Sequence, residues 1–222
     1  MNRVIDLSHT VEHGMVTYPG LPEPRISDHL SREQSRGRYT PGTEFQIGTI
    51  TLVANTGTYV DTPFHRYADG VDLSTVDLSL LVDRDGVLVD ATTSGTRSVG
   101  PGAFDGLPVA GRAVLIRTGW DRHWRTPRYE AASHPFLAAE AASWLAAQRP
   151  AVVGIDSINI DDMADLGRPA HTILLGAGIP IVEHLRGLDL LPADGFRFHA
   201  APVSVVGMGS FPVRAYAVVP TN

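Results

Sequence analysis

Short apolar segments, broken repeatedly by 22 glycines and 16 prolines, constrain this 222-residue chain more than any other feature. Glycine and proline at that density end helices and turn strands, so the periodicity argues against a helical bundle and for a strand-rich core. Residues 4–7, 45–60, 86–91, 113–118, 151–155, 179–183, 203–207 and 214–219 read as strands. Several are too continuously apolar to have a wet face, so helices or a second sheet must cover them on both sides. One clear helix is predicted over residues 137–148. There Leu137, Ala141, Trp144, Leu145 and Gln148 recur at three- and four-residue spacing between Pro135 and Pro150. A shorter helix is predicted from His171 through Leu175, stopped by Gly176 and Gly178. This order predicts an α/β fold of β/β/α type. Residues 22–43 and 92–111 read as long irregular segments, which in compact domains serve as lids, binding loops or oligomer contacts.

A chain of this length with 43% hydrophobic residues can bury one sizeable core, so a single domain over residues 1–222 is expected. Its apolar runs, such as Ile179 to Val182, fall far below the roughly 20 residues of a membrane helix, and no membrane partner is expected. The N-terminus enters a strand without the marks of a secretory signal, which makes a cytoplasmic location the expectation. The absence of cysteine excludes disulfides, thiolate catalysis and Cys-based zinc sites. A metal would have to be held by imidazole, carboxylate, amide or phenol groups. The net charge of −6 and the dispersed arginines give no footprint for nucleic acid. No glycine-rich phosphate loop is present, and Gly176-Ala177-Gly178 reads as a helix end rather than a nucleotide site.

Chemistry concentrates in Asn55-Thr-Gly-Thr-Tyr-Val-Asp-Thr-Pro-Phe-His65. Strand alternation would put Asn55, Gly57, Tyr59 and Asp61 on one face, with Gly57 leaving room for an ion or small molecule. Thr62-Pro63 would turn His65 back toward Asp61. Asp61 can bind a cation or act as a base, the alternative being a turn cap; His65 can move a proton near neutral pH, the alternative being a structural histidine. Glu183 ends an apolar strand, where its carboxylate needs a cation or donors, an arginine ion pair being the plainer option. No Ser-base or Cys-base arrangement competes for nucleophilic chemistry.

This stretch resembles the signature of the cyclase-like metal-dependent hydrolases, the family of kynurenine formamidase and isatin hydrolase, which reads His-x-Gly-Thr-His-x-Asp-x-Pro-x-His. Gly57, Thr58, Asp61, Pro63 and His65 match it, while Asn55 and Tyr59 stand where the family has two histidines. The segments Asp6-Leu-Ser-His9, Tyr18-Pro-Gly20, residues 113–120 and 153–156, His171 and the stretch ending in Glu183 resemble further landmarks in the family's order. The resemblance implies a swivelling β/β/α fold with a mostly buried central sheet and few helices. It implies hydrolysis of an amide, formamide, lactam or lactone bond of a small carbonyl compound, aromatic ones included. It assigns catalysis to His65 and Asp61, substrate contact to Tyr59, Asn55, Tyr18 and Thr58, and metal ligation to Asp61, His171 and Glu183. Two absent imidazoles leave enough ligands for one divalent ion, zinc or manganese, but argue against two. A homo-oligomer, dimer or tetramer, is implied as well. A small-molecule binding protein of the same fold and a metal-free cyclase or isomerase are the alternatives. His9 is expected to be structural, hydrogen-bonded by Ser8 and Asp6.

Overall fold

In the computed structural model, which describes residues 2–221, the apolar segments line up in one mixed nine-stranded sheet. Its strands are β1 (Asn2–Asp6), β4 (Tyr59–Asp61), β5 (Arg84–Asp90), β7 (Ala113–Arg117), β9 (Val152–Ile155), β10 (Ile181–Glu183), β11 (Asp194–His199), β12 (Ser210–Pro212) and β13 (Tyr216–Pro220). Two small ribbons complete the strands: β2 (Arg25–Leu30) with β3 (Ile47–Thr51), and β6 (Ser98–Val99) with β8 (Phe136–Leu137). The helices are α1 (Arg32–Arg36), α2 (Ala139–Gln148) and α3 (Pro169–Gly176). The main sheet runs β1-β13-β11-β5-β7-β9-β10-β4-β12. Its centre, β5-β7-β9-β10, is parallel, and antiparallel strands flank it on both sides.

The missing wet face has the predicted cause. Along β7, Val114 and Ile116 point into one buried cluster with α2 and α3, while Ala113 and Leu115 point into a second cluster against Phe196, Phe198 and Leu188. Two apolar layers thus sandwich the sheet, which is why its central strands carry no alternation. Helix α2 presents Ala141, Ala142 and Leu145 to the first layer, and it ends where Arg149 turns left-handed (φ 55°) ahead of Pro150. It starts at Ala139 rather than Leu137 because Phe136 and Leu137 pair with β6 instead. Pro169 opens α3, where its missing N–H costs no helix bond.

Four expectations need correction. Residues 45–60 are not one strand: β3 leaves at Thr51, and the chain turns through Gly57 (φ +68°) before β4 begins at Tyr59. Gly57 does not make room for a ligand, since a Cβ there would meet Val11 Cγ2 at 3.1 Å, and its freedom serves the turn against the N-terminal segment. Residues 203–207 form no strand, whereas β11 and β12, which were not anticipated, do. The segment 22–43 contains β2 and α1, the latter started by a capping box of Ser31 and Gln34 whose serine-x-x-glutamine spacing was readable.

Candidate active site

Register across β10, β4 and β12 builds the floor of the site. Ile181 stands opposite Asp61, and Glu183 opposite Tyr59; on the other side Ser210 stands opposite Asp61. Directly paired residues share a face, so Tyr59, Asp61, Glu183 and Ser210 all project to the side covered by α3, while Val60 and Val182 project into the opposite core layer. The helix then delivers His171 over the two carboxylates. His171 Nε2 lies 3.6 Å from Asp61 Oδ2 and 3.7 Å from Glu183 Oε1, and all three residues are buried.

Each group is held in place by a specific partner. Asp161 accepts the Nδ1–H of His171 at 2.6 Å and the amides of Ala170 and His171 at 2.6 and 3.1 Å. One carboxylate thereby fixes the ring, turns its Nε2 inward and satisfies the orphan donors of the α3 N-terminus. Glu183 accepts from the Tyr59 hydroxyl and from the Ile160 amide at 2.5 Å. Asp61 Oδ1 accepts from the Ser210 hydroxyl, whose oxygen is also 2.9 Å from His65 Nδ1. His65 Nδ1 itself lies 3.7 Å from Asp61 Oδ1, at the end of a single 3-10 turn, Pro63–His65. Close approach of two backbones permits this: a Cβ on Gly209 would lie 2.2 Å from His65 N, so only glycine lets Ser210 reach the pair.

Burial alone would depress the His171 imidazole, but the charge of Glu183, the bond to Asp161 and the neighbouring Asp61 outweigh it and raise its pKa to about 10. Burial pushes the Glu183 carboxyl up to about 7, with Asp61 adding to the rise and His171 opposing it. Burial, together with the charges of Glu183 and Asp61, keeps the Tyr59 phenol protonated, well above its ordinary range. The centre is therefore built for a positive charge. Asp61 Oδ2, buried without a hydrogen-bond partner, carries that demand most clearly.

Asp61, His65 and His171 each offer a ligand atom within 4.8 Å of the others, and Glu183 stands against His171. The His171 imidazole and the two carboxylates, with His65 beside them, suit a single divalent ion. Asn55 and Tyr59 do not extend the set. The Asn55 amide is 3.5 Å from Asp61 Oδ1, and the Tyr59 hydroxyl is already spent on Glu183.

Above this floor opens a cavity of about 330 Å³ lined in part by Tyr18, Asn55, Tyr59, His65, His171 and Glu183. Of the residues expected at the substrate, Thr58 is not brought there: it is buried, donates to His184 O at 2.5 Å and accepts from the His9 amide at 3.0 Å, stitching three segments together. Glu183 faces an imidazole rather than the arginine considered as its plainer partner. His9 is buried, but its ring stacks on Trp124 at 3.8 Å, whereas Ser8 and Asp6 bond elsewhere. Sequence reasoning missed Asp161 and Ser210. Neither had a usable signal: Asp161 stands beside Asp162 in a stretch that also holds Asp156, Ser157, Asn159 and Asp165, and Ser210 is one serine among many.

Residues 5–162 match the family model described as putative cyclase. The chain is 26% identical over 212 residues, 95% of either sequence, to a kynurenine formamidase of Bacillus cereus. Its fold superposes with a TM-score of 0.84 on isatin hydrolase A from Labrenzia aggregata bound to benzyl benzoate, at 24% identity, covering 99% of this chain and 94% of the other. It superposes with a TM-score of 0.79 and 26% identity over the full length of both chains on a potential metal-dependent hydrolase with cyclase activity.

Proposed function

Because the chain belongs to the putative cyclase family, we propose that it is a hydrolase acting on an amide or formamide bond of a small carbonyl compound, with lactams and lactones as related substrates. One observation carries this reading: the partnerless, buried Asp61 Oδ2 beside His171 Nε2, next to a cavity that His171, Glu183 and His65 line. Kynurenine formamidases and an isatin hydrolase among the similar proteins support the bond class.

Asp61, His171 and Glu183, with His65 beside them, would hold one divalent ion, which supplies a water of lowered pKa and polarises the carbonyl. The remaining work falls to the side chains. The Ser210 hydroxyl engages His65 Nδ1, leaving Nε2 as the nitrogen that takes a proton from the attacking water and returns it to the departing nitrogen. Asn55 offers an amide donor to the oxygen that gains charge. Tyr59 acts indirectly, orienting Glu183, and Tyr18 packs against the substrate's apolar body.

Metal content and turnover test the proposal together. Protein purified without chelator is expected to hold close to one zinc or manganese per chain and to hydrolyse formylkynurenine or a simple aryl formamide. His65→Gln should retain the metal and lower kcat by about 10²- to 10⁴-fold. Absence of both metal uptake and turnover under every loading condition would refute it. A metal-free cyclase, isomerase or binding protein is favoured by one feature, the His171 imidazolium already lying between Asp61 and Glu183.

We also read the protein as a cytoplasmic homo-oligomer. No helix of the described residues is long and apolar enough to cross a membrane. Ile26, Ile47 and Ile50 of the β2–β3 ribbon are 43–53% exposed, and a two-stranded ribbon this open is marginal by itself. A second copy would cover it, and light scattering of the purified protein showing a monomer at all concentrations would exclude this.

A further inference from the structure

Neither Glu183 nor His171 is held by its own element alone. Both lean on the irregular segment 159–163, which follows β9 and passes along one wall of the cavity. Asn159 lines that cavity and accepts from the Asp161 amide at 2.9 Å. The Ile160 amide donates to Glu183 at 2.5 Å, and the Asp161 carboxylate aims His171. One stretch of backbone therefore sets the placement of two of the three groups that converge on the centre.

An irregular segment has no hydrogen-bond ladder to stiffen it, so its outside anchors decide how sharply it is placed. They come from the β6–β8 ribbon. The Leu137 amide donates to the Ile160 carbonyl at 2.8 Å, and the Met163 amide reaches His134 Nε2 at 3.4 Å. Arg97, one residue ahead of β6, supplies the charged anchor. Its Nη2 pairs with the Asp162 carboxylate, its Nη1 donates to the Ala132 carbonyl at 2.6 Å, and its guanidinium carbon lies 4.9 Å from the Phe136 ring centroid. Among the arginine ion pairs of the described residues, only this one ends on a residue next to a partner of His171. Charge makes the anchor matter. Asp161, Asp162, Asp165 and Glu140 line one cleft, and Arg168 reaches the Asp162 carbonyl rather than its carboxylate. Without Arg97 these acids would drive the Asp162 carboxylate toward solvent, and Asp161 would shift with it.

We propose that Arg97 is a positioning residue of the centre: by clamping Asp162 it fixes the segment that aims His171 and Glu183, although it bonds to neither and does not line the cavity. The kinetic consequence rests on the hydrolase reading; the aiming of His171 does not.

A partly exposed ion pair contributes little to stability, so Arg97→Gln is expected to melt within about 4 °C of the parent. Its effect should appear at the centre instead. Arg97→Gln and Asp162→Asn, as full-length proteins, should each shift the His171 ring signals in the NMR spectrum and weaken Zn²⁺ binding about tenfold in titration calorimetry. The double variant should lose no more than either single one, because both remove the same contact. Arg97→Lys keeps the charge toward Asp162 and should lie closer to the parent than to Arg97→Gln. In rate assays the zinc concentration giving half-maximal activity should rise about tenfold, and excess zinc should restore kcat. Parent-like His171 signals and zinc affinity in both single variants would overturn the proposal. So would losses that multiply in the double variant, or that appear only with a collapse of the melting temperature. A parent that neither binds zinc nor turns over would reject the hydrolase reading; shifted His171 signals in both variants would then still establish the clamp, and unshifted ones would overturn it too.

Discussion

Replacing Asp161 by asparagine isolates the support beneath His171. The substitution keeps shape but removes charge from an acceptor that serves three donors: the Ala170 amide, the His171 amide and the His171 Nδ1–H. A charge-assisted bond contributes about 1.5–3 kcal/mol and a neutral one about 0.5–1.5, so the exchange at the Ala170 amide costs about 1 kcal/mol; the asparagine NH₂ cannot accept from the His171 amide, a loss of about 1–3 kcal/mol, and together these come to about 3. Loss of a negative charge at the N-terminus of α3 adds about 0.3–1 kcal/mol. The chemical effect is sharper still. An asparagine NH₂ directed at His171 needs an acceptor, so the ring must move its proton to Nε2 and can no longer offer a lone pair to the cavity. Urea unfolding of Asp161→Asn should therefore show a loss of about 3–4 kcal/mol. Metal affinity should fall about 10- to 100-fold, in line with the loss of an outer partner of a ligating histidine. Imidazole proton signals in the NMR spectrum would report the altered tautomer. A variant within about 0.5 kcal/mol of the parent, as for an ordinary surface change, and with the parent's metal affinity, would refute this account of how His171 is aimed.

Gly209→Ala should cost about 3 kcal/mol or more and disable the site, because its Cβ would lie 2.2 Å from His65 N and 2.5 Å from His65 Cα; a normally stable, active variant in denaturation and rate assays would contradict the packing. Tyr59→Phe leaves Glu183 Oε2 buried without its donor and should destabilise the fold by about 1–3 kcal/mol in urea melts, so an unchanged midpoint would remove that hydrogen bond from the account. Burial pushes the Asp156 carboxyl up to about 7, although Thr118 and Gly119 donate to it. Its folded pKa is raised, so its contribution is complete below the unfolded value near 3.8 and is lost as pH rises through 7. The stability of the parent relative to Asp156→Asn should thus fall by about 1.4 kcal/mol per pH unit across that window in a pH series of urea melts, and a pH-independent difference would refute the shift.

Local chemistry made much of this molecule legible. Continuous apolar runs marked β5, β7, β9 and β10 because a strand covered on both faces has no reason to alternate. Proline and spacing marked α2, the closing glycines marked α3, and Thr62-Pro63 returned His65 toward Asp61, because a turn depends on neighbours in sequence. The unforeseen strand β11 carries Asp, Gly and Arg among its aromatics, and its place beside β5 and β13 comes from pairing partners rather than from its own propensity. The sequence by itself determined a strand-rich fold with two carboxylates and two imidazoles available for one centre. Only the tertiary structure decided that they meet. The register of β10 and β12 against β4, the placement of Asp161 under His171 and the contact of Gly209 with His65 all join residues far apart in the chain. Alternation and turns are fixed within a few residues, but register is settled by which whole arrangement buries its apolar layers and satisfies its buried charges at once.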